Sequence, residues 1–237
     1  MLSIIVPVRD ESNSIKDVFD YFNDNLTMID YEVLIVNDFS SDDTLEKSEK
    51  LTVSYKNFRV LNNSKKGLGG AINLGIKEAV GEHVAIMMAD QSDDINDLIT
   101  HYDLIKSDGY DAILGSRFMK YSKVNDYPIQ KLILNRVFNF CVSIIFLNRY
   151  NDYTNAFKIY KRTALIEIMP LISESFNIFL EIPLKIISRK YNYKVVSINW
   201  MGRKKGESKF KIKELGSKYL FTLIYCFIEK NLLNIKK

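Results

Sequence analysis

The sequence predicts an α/β fold with a mostly parallel sheet flanked by helices, and two observations carry this prediction. Short apolar runs rich in β-branched residues recur along the first half of the chain. Between them lie segments in which apolar residues recur every three or four positions, as on one face of a helix. Strands that alternate with helices are typical of a parallel sheet, because each helix returns the chain to the same edge.

Five strands are predicted in the first half from apolar runs that end in polar residues. They cover residues 2–8, 31–36, 58–61, 83–88 and 112–115. Parallel strands direct their carboxyl ends to one edge of the sheet, where α/β proteins bind ligands. The first, second and fourth runs end at Asp10-Glu11, Asp38 and Asp90. We therefore expect acidic clusters to converge on one cleft, where a cation or hydrogen-bond donors must offset their repulsion.

The helices are predicted from the periodic segments and from their capping residues. They cover residues 14–26, 41–53, 68–80 and 94–105 in the first half and 131–147, 176–190 and 215–233 in the second. Further strands are expected near residue 160 and at residues 193–199. No internal repeat or linker divides the chain, so we expect one domain at residues 1–210 and a helical appendage at residues 211–237.

Composition excludes several classes of protein. The chain has 237 residues, of which 26% are charged and 47% hydrophobic, as in a globular domain rather than a disordered chain. Two cysteines are too few for a disulfide scaffold. No run of 18 uninterrupted apolar residues occurs, and no basic segment precedes the first apolar run. We therefore expect a cytoplasmic protein without a clean membrane span or signal peptide.

The charge of the chain is unevenly distributed. The formal net charge is +4, but residues 203–237 hold 10 basic and 3 acidic residues, while residues 1–202 are slightly acidic. A basic, apolar tail suits anionic lipid head groups and phosphates better than nucleic acid. The apolar segments at 131–147 and 215–233 fit docking on a membrane surface or on a membrane protein, or packing against their own domain.

Six motifs occur in a fixed order along nearly the whole chain. They are Ile-Ile-Val-Pro-Val-Arg-Asp-Glu at 4–11, Val-Asn-Asp-Phe-Ser-Ser-Asp-Asp-Thr at 36–44, the glycine-rich stretch 63–75, Met-Ala-Asp-Gln-Ser at 88–92, Gly-Ser-Arg at 115–117, and the pair 152–158 and 203–209. Together they resemble the family 2 glycosyltransferases, and most closely the polyprenyl-phosphate (dolichyl-phosphate) mannose or glucose synthases. This resemblance implies a GT-A fold, a Rossmann-like sheet with, here, a C-terminal amphipathic helix.

The resemblance implies a nucleotide-sugar site at the ends of the strands. Its residues would be Pro7, Asp10, Glu11, Asp38, Lys66, Gly67, Ala89 and Asp90. A carboxylate only accepts hydrogen bonds, so it suits ribose hydroxyls and base N–H groups. Glycines before a helix let backbone N–H groups approach a phosphate, although the same glycines also suit tight helix packing. Capping of the helix after residue 41 is the simpler explanation for Ser41, Asp42 and Asp43.

The fourth motif implies a divalent cation, Mg²⁺ or Mn²⁺. The family has Asp-Ala-Asp there, and in this chain Met88 stands in place of the first Asp. Asp90 matches the second Asp and Ser92 the later polar ligand, and Asp93 is a further candidate. Asp93 and Asp94 also fit as acidic caps of the helix that follows.

The remaining motifs imply the catalytic and acceptor sides of the site. Arg117, Arg203 and Lys209 would position phosphates, and Asp152, Glu181 and Ser208 would lie on the acceptor side. The implied reaction moves a sugar, with inversion, from a nucleotide sugar (GDP- or UDP-linked) to a polyprenyl phosphate at the membrane surface. An ionised lipid phosphate needs no general base, whereas a hydroxyl acceptor would require Asp152 or Glu181 to serve as one.

Other functions remain open at this point. One is a transferase with a hydroxyl acceptor in cell-surface polysaccharide synthesis. Another is a module that binds nucleotide sugars with weakened catalysis, which Met88 favours. A dinucleotide-dependent dehydrogenase is disfavoured, because no glycine follows the first strand directly. His83 and His101 have no visible partner in the sequence and are interpreted as structural.

Overall fold

The structure, a computed structural model, describes residues 1–202 and 212–232, with side chains described from residue 216 in the second range. Nine strands lie in the described ranges. They are β1 (Leu2–Val8), β2 (Tyr31–Asn37), β3 (Phe58–Asn62), β4 (His83–Ile86), β5 (Ala112–Ser116), β6 (Val124–Asn125), β7 (Lys158–Lys161), β8 (Tyr193–Ser197) and β9 (Trp200–Met201).

Eight helices connect or follow these strands within the described ranges. They are α1 (Ile15–Asn25), α2 (Thr44–Leu51), α3 (Leu68–Glu78), α4 (Ile95–Asp108), α5 (Ile129–Phe146), α6 (Arg162–Glu167), α7 (Ile178–Ser188) and α8 (Ile212–Leu232). The predicted helices all occur. The short helix α6 and the two-residue strands β6 and β9 were not predicted, because elements of that length carry almost no periodic pattern.

Seven strands form one sheet in the order β3-β2-β1-β4-β7-β5-β8. Strand β7 runs antiparallel to β4 and β5, and the other pairs are parallel, which confirms the predicted α/β class. Lys158, the first residue of β7, pairs with Ile86 and Leu114 near the carboxyl ends of β4 and β5. The loop before β7 therefore lies at the same edge as the strand-end acids.

The sheet buries a core on each face. Strands β1 and β2 are buried along their whole length, as expected for central parallel strands covered on both faces. Side chains alternate between the two cores, so Ile5 packs with the α3 and α7 layer while Ile4 and Val6 pack with the α1 and α4 layer. This two-sided burial fixes the positions at which the strands end, and with them the loops that form the site.

Two boundaries near the site differ from the prediction. Strand β4 ends at Ile86, two residues before the predicted end, so Met88 belongs to the loop that follows. Helix α4 extends to Asp108 and is closed by Gly109 in the left-handed conformation, at φ 68°. Its N-cap is Asp94, whose carboxylate accepts the N–H of Asn96 at 2.9 Å. The capping role proposed for Asp94 is thus observed.

Helix α8 packs against α5 and α7. Its residues Tyr219, Leu223 and Cys226 belong to a core cluster, and the ring of Tyr219 lies edge-on to Phe138 of α5, 5.6 Å between centroids. A buried ion pair joins α7 to α8, because Lys185 Nζ lies 3.3 Å from Glu229 Oε2. These contacts fix the position of α8 on the body of the protein.

Helix α5 is exposed for most of its length. Among the described helices, α5 is the one that is long enough and apolar enough to cross a membrane, judged by length and composition alone. Its apolar residues do not form an uninterrupted run. Only 17% of that segment is buried. A core helix of a globular protein would be mostly buried, so α5 presents an apolar surface that the described protein leaves uncovered.

Candidate active site

A cleft of about 1000 Å³ opens at the carboxyl edge of the sheet, where the strand-end loops meet. The structure brings nine of the residues proposed from sequence to its wall: Pro7, Glu11, Asp38, Lys66, Gly67, Ala89, Asp90, Ser92 and Arg117. Pro7 lies near the end of β1, and the others come from the segments that follow β1, β2, β3, β4 and β5. Convergence from distant parts of the sequence is what the parallel topology predicts.

Asp38 organises one side of the cleft. Its Oδ1 accepts the backbone N–H of Gly67 at 2.7 Å and the Asn63 amide at 2.9 Å. The backbone N–H of Asp38 donates to the Val8 carbonyl at 2.8 Å, which ties this residue to the end of β1. Asp38 therefore holds the glycine loop against the sheet while its side chain lines the cleft.

The glycines at the start of α3 serve close packing. A Cβ on Gly69 would overlap the carbonyl oxygen of Ser173, and one on Gly70 would overlap that of Lys65. The N–H of Gly69 donates to the Glu174 carbonyl at 3.1 Å, so this first-turn donor already has a partner. Gly67 lines the cleft with φ at 118°, a backbone conformation that glycine adopts readily.

Asp10 lies outside the wall of the cleft and connects two loops. Its Oδ1 accepts the backbone N–H of Ser41 at 2.7 Å, and its own N–H donates to Ser40 Oγ at 3.1 Å. The N–H of the next residue, Glu11, donates to Thr44 Oγ1 at 2.8 Å. The loops after β1 and β2 are thereby joined, and Glu11 is the member of the acidic pair that reaches the cleft.

The loop after β4 places two carboxylates on the cleft. Asp90 Oδ1 accepts the backbone N–H of Ser92 at 3.2 Å, which shapes the turn. Asp93 also lines the cleft and is 3% exposed. Burial and, next, the negative charge of Asp90 raise the pKa of Asp93 to about 7. Among the described residues, no group of three or more His, Cys, Asp or Glu side chains could hold a metal ion. A cation at this position would therefore be bound by two carboxylates together with oxygen atoms of a bound substrate.

Arg117 is fixed on the opposite side by Asp152. Arg117 donates from Nε to Asp152 Oδ2 at 2.8 Å and from Nη2 to Oδ1 at 2.7 Å. The backbone N–H of Arg117 adds a third bond to Oδ2 at 2.9 Å. Burial opposes the charge of Arg117, but the attraction of Asp152 outweighs it and raises the pKa of the guanidinium. Such a bidentate pair holds the arginine in one orientation.

Aromatic rings surround the same guanidinium. Its central carbon lies 5.4 Å from the ring centre of Phe118, 5.3 Å from that of Tyr127 and 5.7 Å from that of Trp200. These distances are within the range of cation–π attraction. Tyr127 and Trp200 line the cleft and were missed by the sequence analysis. The signal available was weak: Trp200 is the single tryptophan and directly follows a predicted strand.

The two carboxylates predicted on the acceptor side are both fully buried and do not line the cleft. Asp152 is engaged by Arg117, as described above. Glu181 accepts the backbone N–H of Ile172 at 2.9 Å and that of Ser173 at 2.8 Å, and it pairs with Lys185 at 3.2 Å. The structure thus places each of these acids as a partner of other protein groups. Arg203, Ser208 and Lys209 lie outside the described residues.

Fold and cleft together define an α/β protein with a binding cleft at the carboxyl edge of a mostly parallel sheet, and comparison of the sequence identifies the family. Residues 3–169 match the family described as glycosyl transferase family 2. This match covers more than half of the chain, and the chain therefore belongs to that family.

Two curated relatives extend over most of the chain. A dolichol-phosphate mannosyltransferase from Pyrococcus furiosus is 29% identical over 218 residues, which cover 90% of this chain and 60% of that protein. Glycosyltransferase AglD from Haloferax volcanii is 22% identical over 213 residues, which cover 88% of this chain and 34% of that protein. The chain thus spans less than two thirds of the length of either relative. The first relative bears out the resemblance to polyprenyl-phosphate sugar synthases.

A solved structure confirms the fold. The glucosyl-3-phosphoglycerate synthase from Mycobacterium tuberculosis, in complex with Mn²⁺, UDP and glucosyl-3-phosphoglycerate, superimposes with a TM-score of 0.65 at 15% identity. The match covers 97% of this chain and 79% of that protein. At this level of identity the comparison shows a common fold, the GT-A architecture implied by the sequence motifs.

Proposed function

We propose that this chain is an inverting glycosyltransferase that moves a sugar from a nucleoside-diphosphate sugar to a polyprenyl phosphate. The observation that carries the proposal is Arg117, which lines the cleft and is oriented by Asp152 through Nε and Nη2. This leaves Nη1 for a phosphate oxygen, in an orientation that the pair holds before the substrate arrives. Membership of the family and the relative named dolichol-phosphate mannosyltransferase support the same reaction.

The donor side rests on the strand-end residues. Pro7, Glu11, Asp38 and Ala89 would contact the nucleotide, and Lys66 with Gly67 would face its phosphates. Asp10 would contribute by holding the loop after β2 in place. Asp90 and Ser92 would hold Mg²⁺ or Mn²⁺, which, when bound, offsets the charge on the departing nucleoside diphosphate. The Mycobacterium enzyme of similar fold has been solved with Mn²⁺ and with Mg²⁺, each together with UDP.

The engagement of the buried acids favours a phosphate acceptor over a hydroxyl acceptor. A hydroxyl needs a general base, but Asp152 is bound to Arg117, and Glu181 is bound to backbone N–H groups and Lys185. A lipid phosphate is already ionised and needs cations that position it. Arg203, Ser208 and Lys209 are proposed to complete this acceptor side by contacting the diphosphate and the lipid phosphate.

A second candidate function is a nucleotide-sugar-binding module, which Met88 favours. Met88 lines the cleft at the position where the family has its first acid, and it packs against the core on its other side. Replacement of a carboxylate by a thioether removes one oxygen ligand from the cation. Hydroxyl transfer in cell-surface polysaccharide synthesis is the third alternative, and it would require another base.

Action at the membrane surface is supported by an apolar face made of α5 and α8. We call this the two-helix face. Its large exposed apolar residues are Ile129, Ile133, Leu134, Val137, Phe140, Ile144, Ile145 and Leu147 from α5 and its C-cap, and Leu220, Phe221, Ile224, Phe227, Ile228 and Leu232 from α8. So many exposed large apolar side chains on two helices that contact each other are typical of a membrane or protein contact.

The charges around the two-helix face suit an anionic membrane. Helix α5 carries Lys131 and Arg136 and no acidic residue, and the described side chains of α8 include Lys218. The acid Glu229 of α8 is buried and paired with Arg189. Basic residues beside an apolar helix surface are typical of in-plane membrane binding.

The cleft reaches this face. Leu134 of α5 and Leu220 of α8 line the cleft and are themselves 51% and 57% exposed. A lipid-linked acceptor lying in the membrane would therefore have a short path to Arg117. We propose peripheral binding at the cytoplasmic face, with residues 1–210 as the transferase domain and residues 211–237 as a basic, apolar element docked on it.

The test is a transfer assay with purified protein, Mg²⁺ or Mn²⁺ and radiolabelled UDP- or GDP-sugars. Labelled sugar is expected to pass to a short-chain polyprenyl phosphate, whereas the matching polyprenol, which lacks the phosphate, should remain unlabelled. Asp90→Ala should abolish transfer. Labelling of the polyprenol would support the hydroxyl-acceptor alternative. Binding of nucleotide sugars without transfer to either lipid would support the binding module.

A further inference from the structure

Asp93 is an unusual carboxylate. It is 3% exposed, it lines the cleft, and neither of its carboxylate oxygens has a hydrogen-bond partner in the described part of the chain. A buried carboxylate without a partner loses its hydration and gains nothing in return, which costs several kcal/mol in general. A bound ion or other ligand is one explanation for such a group.

The backbone around Asp93 is held from three directions. Its carbonyl oxygen accepts the hydroxyl of Tyr21 at 2.9 Å, and Asp93 forms an isolated antiparallel bridge with Trp200. The carbonyl of the preceding residue, Ser92, accepts the N–H of Met201 at 3.0 Å. The backbone position of Asp93 is therefore fixed by contacts with residues that are distant in the sequence.

The charges near Asp93 do not satisfy it. Asp90 lines the same cleft three residues before Asp93, and two carboxylates repel each other when both are ionised. Arg117 and the buried Lys158 both attract Asp93. Neither donates to it, because Nε and Nη2 of Arg117 donate to Asp152 and Nζ of Lys158 donates to the carbonyls of Tyr153 and Asn155. Two carboxylates that share a cleft, one of them buried without a donor, are a donor set that suits a divalent cation. Mg²⁺ commonly takes one or two carboxylates together with substrate phosphates and water.

We propose that Asp93 replaces the carboxylate that is missing at Met88, so that Asp90 and Asp93 together hold the divalent cation of the nucleotide complex. The inference deepens the proposed function and rests on it. The motif that family members use places its first acid two residues before Asp90, whereas this chain places its second acid three residues after it. The second carboxylate of the cation site would thus come from the segment that follows Asp90 instead of the segment that precedes it.

The experiment measures Mn²⁺ binding in the presence of UDP or GDP by electron paramagnetic resonance, independently of any sugar transfer. Asp93→Asn and Asp90→Asn are each expected to weaken Mn²⁺ binding at least about tenfold, since each removes a charged ligand. The matched control is Asp94→Asn, because Asn is as good an N-cap as Asp and Asp94 is bonded to its own helix. This control should bind Mn²⁺ as the unchanged protein does.

Two further measurements sharpen the test. Mn²⁺ with nucleotide should raise the melting temperature of Asp93→Asn less than it raises that of the unchanged protein, because the variant binds the cation more weakly. Met88→Asp in the Asp93→Asn background should restore Mn²⁺ binding by returning a carboxylate to the opposite side of Asp90.

The outcomes separate this proposal from the proposed function. Normal Mn²⁺ binding by Asp93→Asn overturns the proposal, and if sugar transfer is lost at the same time, Asp93 acts on the substrate. Absence of Mn²⁺ binding by the unchanged protein with either nucleotide also overturns it. Failure of sugar transfer while Mn²⁺ and nucleotide bind through Asp90 and Asp93 supports the cation site and counts against the proposed function alone.

Discussion

Arg117 and Asp152 form a buried pair in which both carboxylate oxygens are bonded to the arginine. Three N–H groups of Arg117 take part, at 2.7 to 2.9 Å. Arg117 reaches the cleft wall, whereas Asp152 does not. Asp152 therefore sets the orientation of Arg117, and we propose that Arg117 contacts the substrate.

Substitution of Asp152 by Asn is expected to impair both stability and transfer. The variant leaves the buried Arg117 charge uncompensated, which costs about 3 kcal/mol in the free energy of unfolding. A misplaced guanidinium should lower transfer on the order of 100-fold. Urea unfolding and the transfer assay at saturating donor check the two effects separately.

The matched control for this prediction is Arg136→Gln. Arg136 also lies over the ring of Phe118, at 4.9 Å, but it is exposed and is not a wall residue of the cleft. Its substitution should leave the free energy of unfolding nearly unchanged. Equal stability of Asp152→Asn and the unchanged protein would show that the pair does not hold the arginine.

Gly69 is expected to tolerate no side chain, in contrast to Gly216. Gly69→Ala places a Cβ against the backbone carbonyl of Ser173, and we expect a loss of about 1–3 kcal/mol in the free energy of unfolding. Gly216→Ala meets no described atom within 4 Å, and in the helix α8 it should stabilise the protein by about 0.5–1 kcal/mol. Thermal and urea unfolding measure both changes. Similar effects of the two variants would contradict the packing role of Gly69.

The sequence was sufficient for the fold and for most of the cleft because the relevant signals are local. Three of the five predicted strands in the first half end at a change from apolar to acidic residues, as at Asp38 and Asp90. Parallel pairing then brings these ends together without further information. The antiparallel β7 was expected only as a short strand, because four residues do not encode the neighbour or direction of a strand.

The roles of individual acids depended on partners that are distant in sequence. The sequence motifs indicate both Asp152 and Asp93 as acids of the site. Arg117 lies 35 residues before Asp152 in the sequence and donates to both oxygens of its carboxylate. Asp93 meets no such donor among the described residues. A motif fixes the type of residue, whereas the partner that the fold brings to it decides whether its charge remains available.

The two-helix face is expected to bind anionic vesicles. Phe140 and Phe221 are 65% and 63% exposed, so Phe140→Glu with Phe221→Glu should leave the fold intact while removing apolar contact. We expect binding to vesicles containing anionic phospholipid to weaken at least about tenfold, since each buried Phe side chain contributes about 2 kcal/mol. Vesicle co-sedimentation, with transfer to a soluble short-chain acceptor in parallel, measures the effect.

The control for the membrane prediction lies outside α5 and α8. Met28, between α1 and β2, is 91% exposed, and Met28→Glu should not change vesicle binding. Higher salt should weaken the binding of the unchanged protein, because basic residues flank the face. Unchanged binding of the double variant, or an equal loss in Met28→Glu, would contradict membrane contact through this face.

His101 makes the stability of the fold depend on pH. It is buried on α4 and stacks on Phe157 at 5.3 Å between ring centres. Burial lowers the pKa of His101 to about 4, against an opposing hydrogen bond with the backbone of Ser197. The unfolded chain, in which a histidine titrates near 6.5, therefore takes up the proton first as the pH falls. The free energy of unfolding should decrease as the pH falls from about 6.5 towards 4.

Substitution of His101 by Gln isolates this contribution from other acid effects. Between pH 7.5 and pH 5 the histidine should account for a loss of about 2 kcal/mol, because at pH 5 it is protonated in the unfolded chain and neutral in the fold. Urea unfolding of both proteins at the two pH values measures the difference. The variant starts from a lower free energy at pH 7.5, since it loses the ring stack, but it should lose less on acidification. Parallel losses in the two proteins would show that His101 takes up its proton equally in the folded and unfolded states.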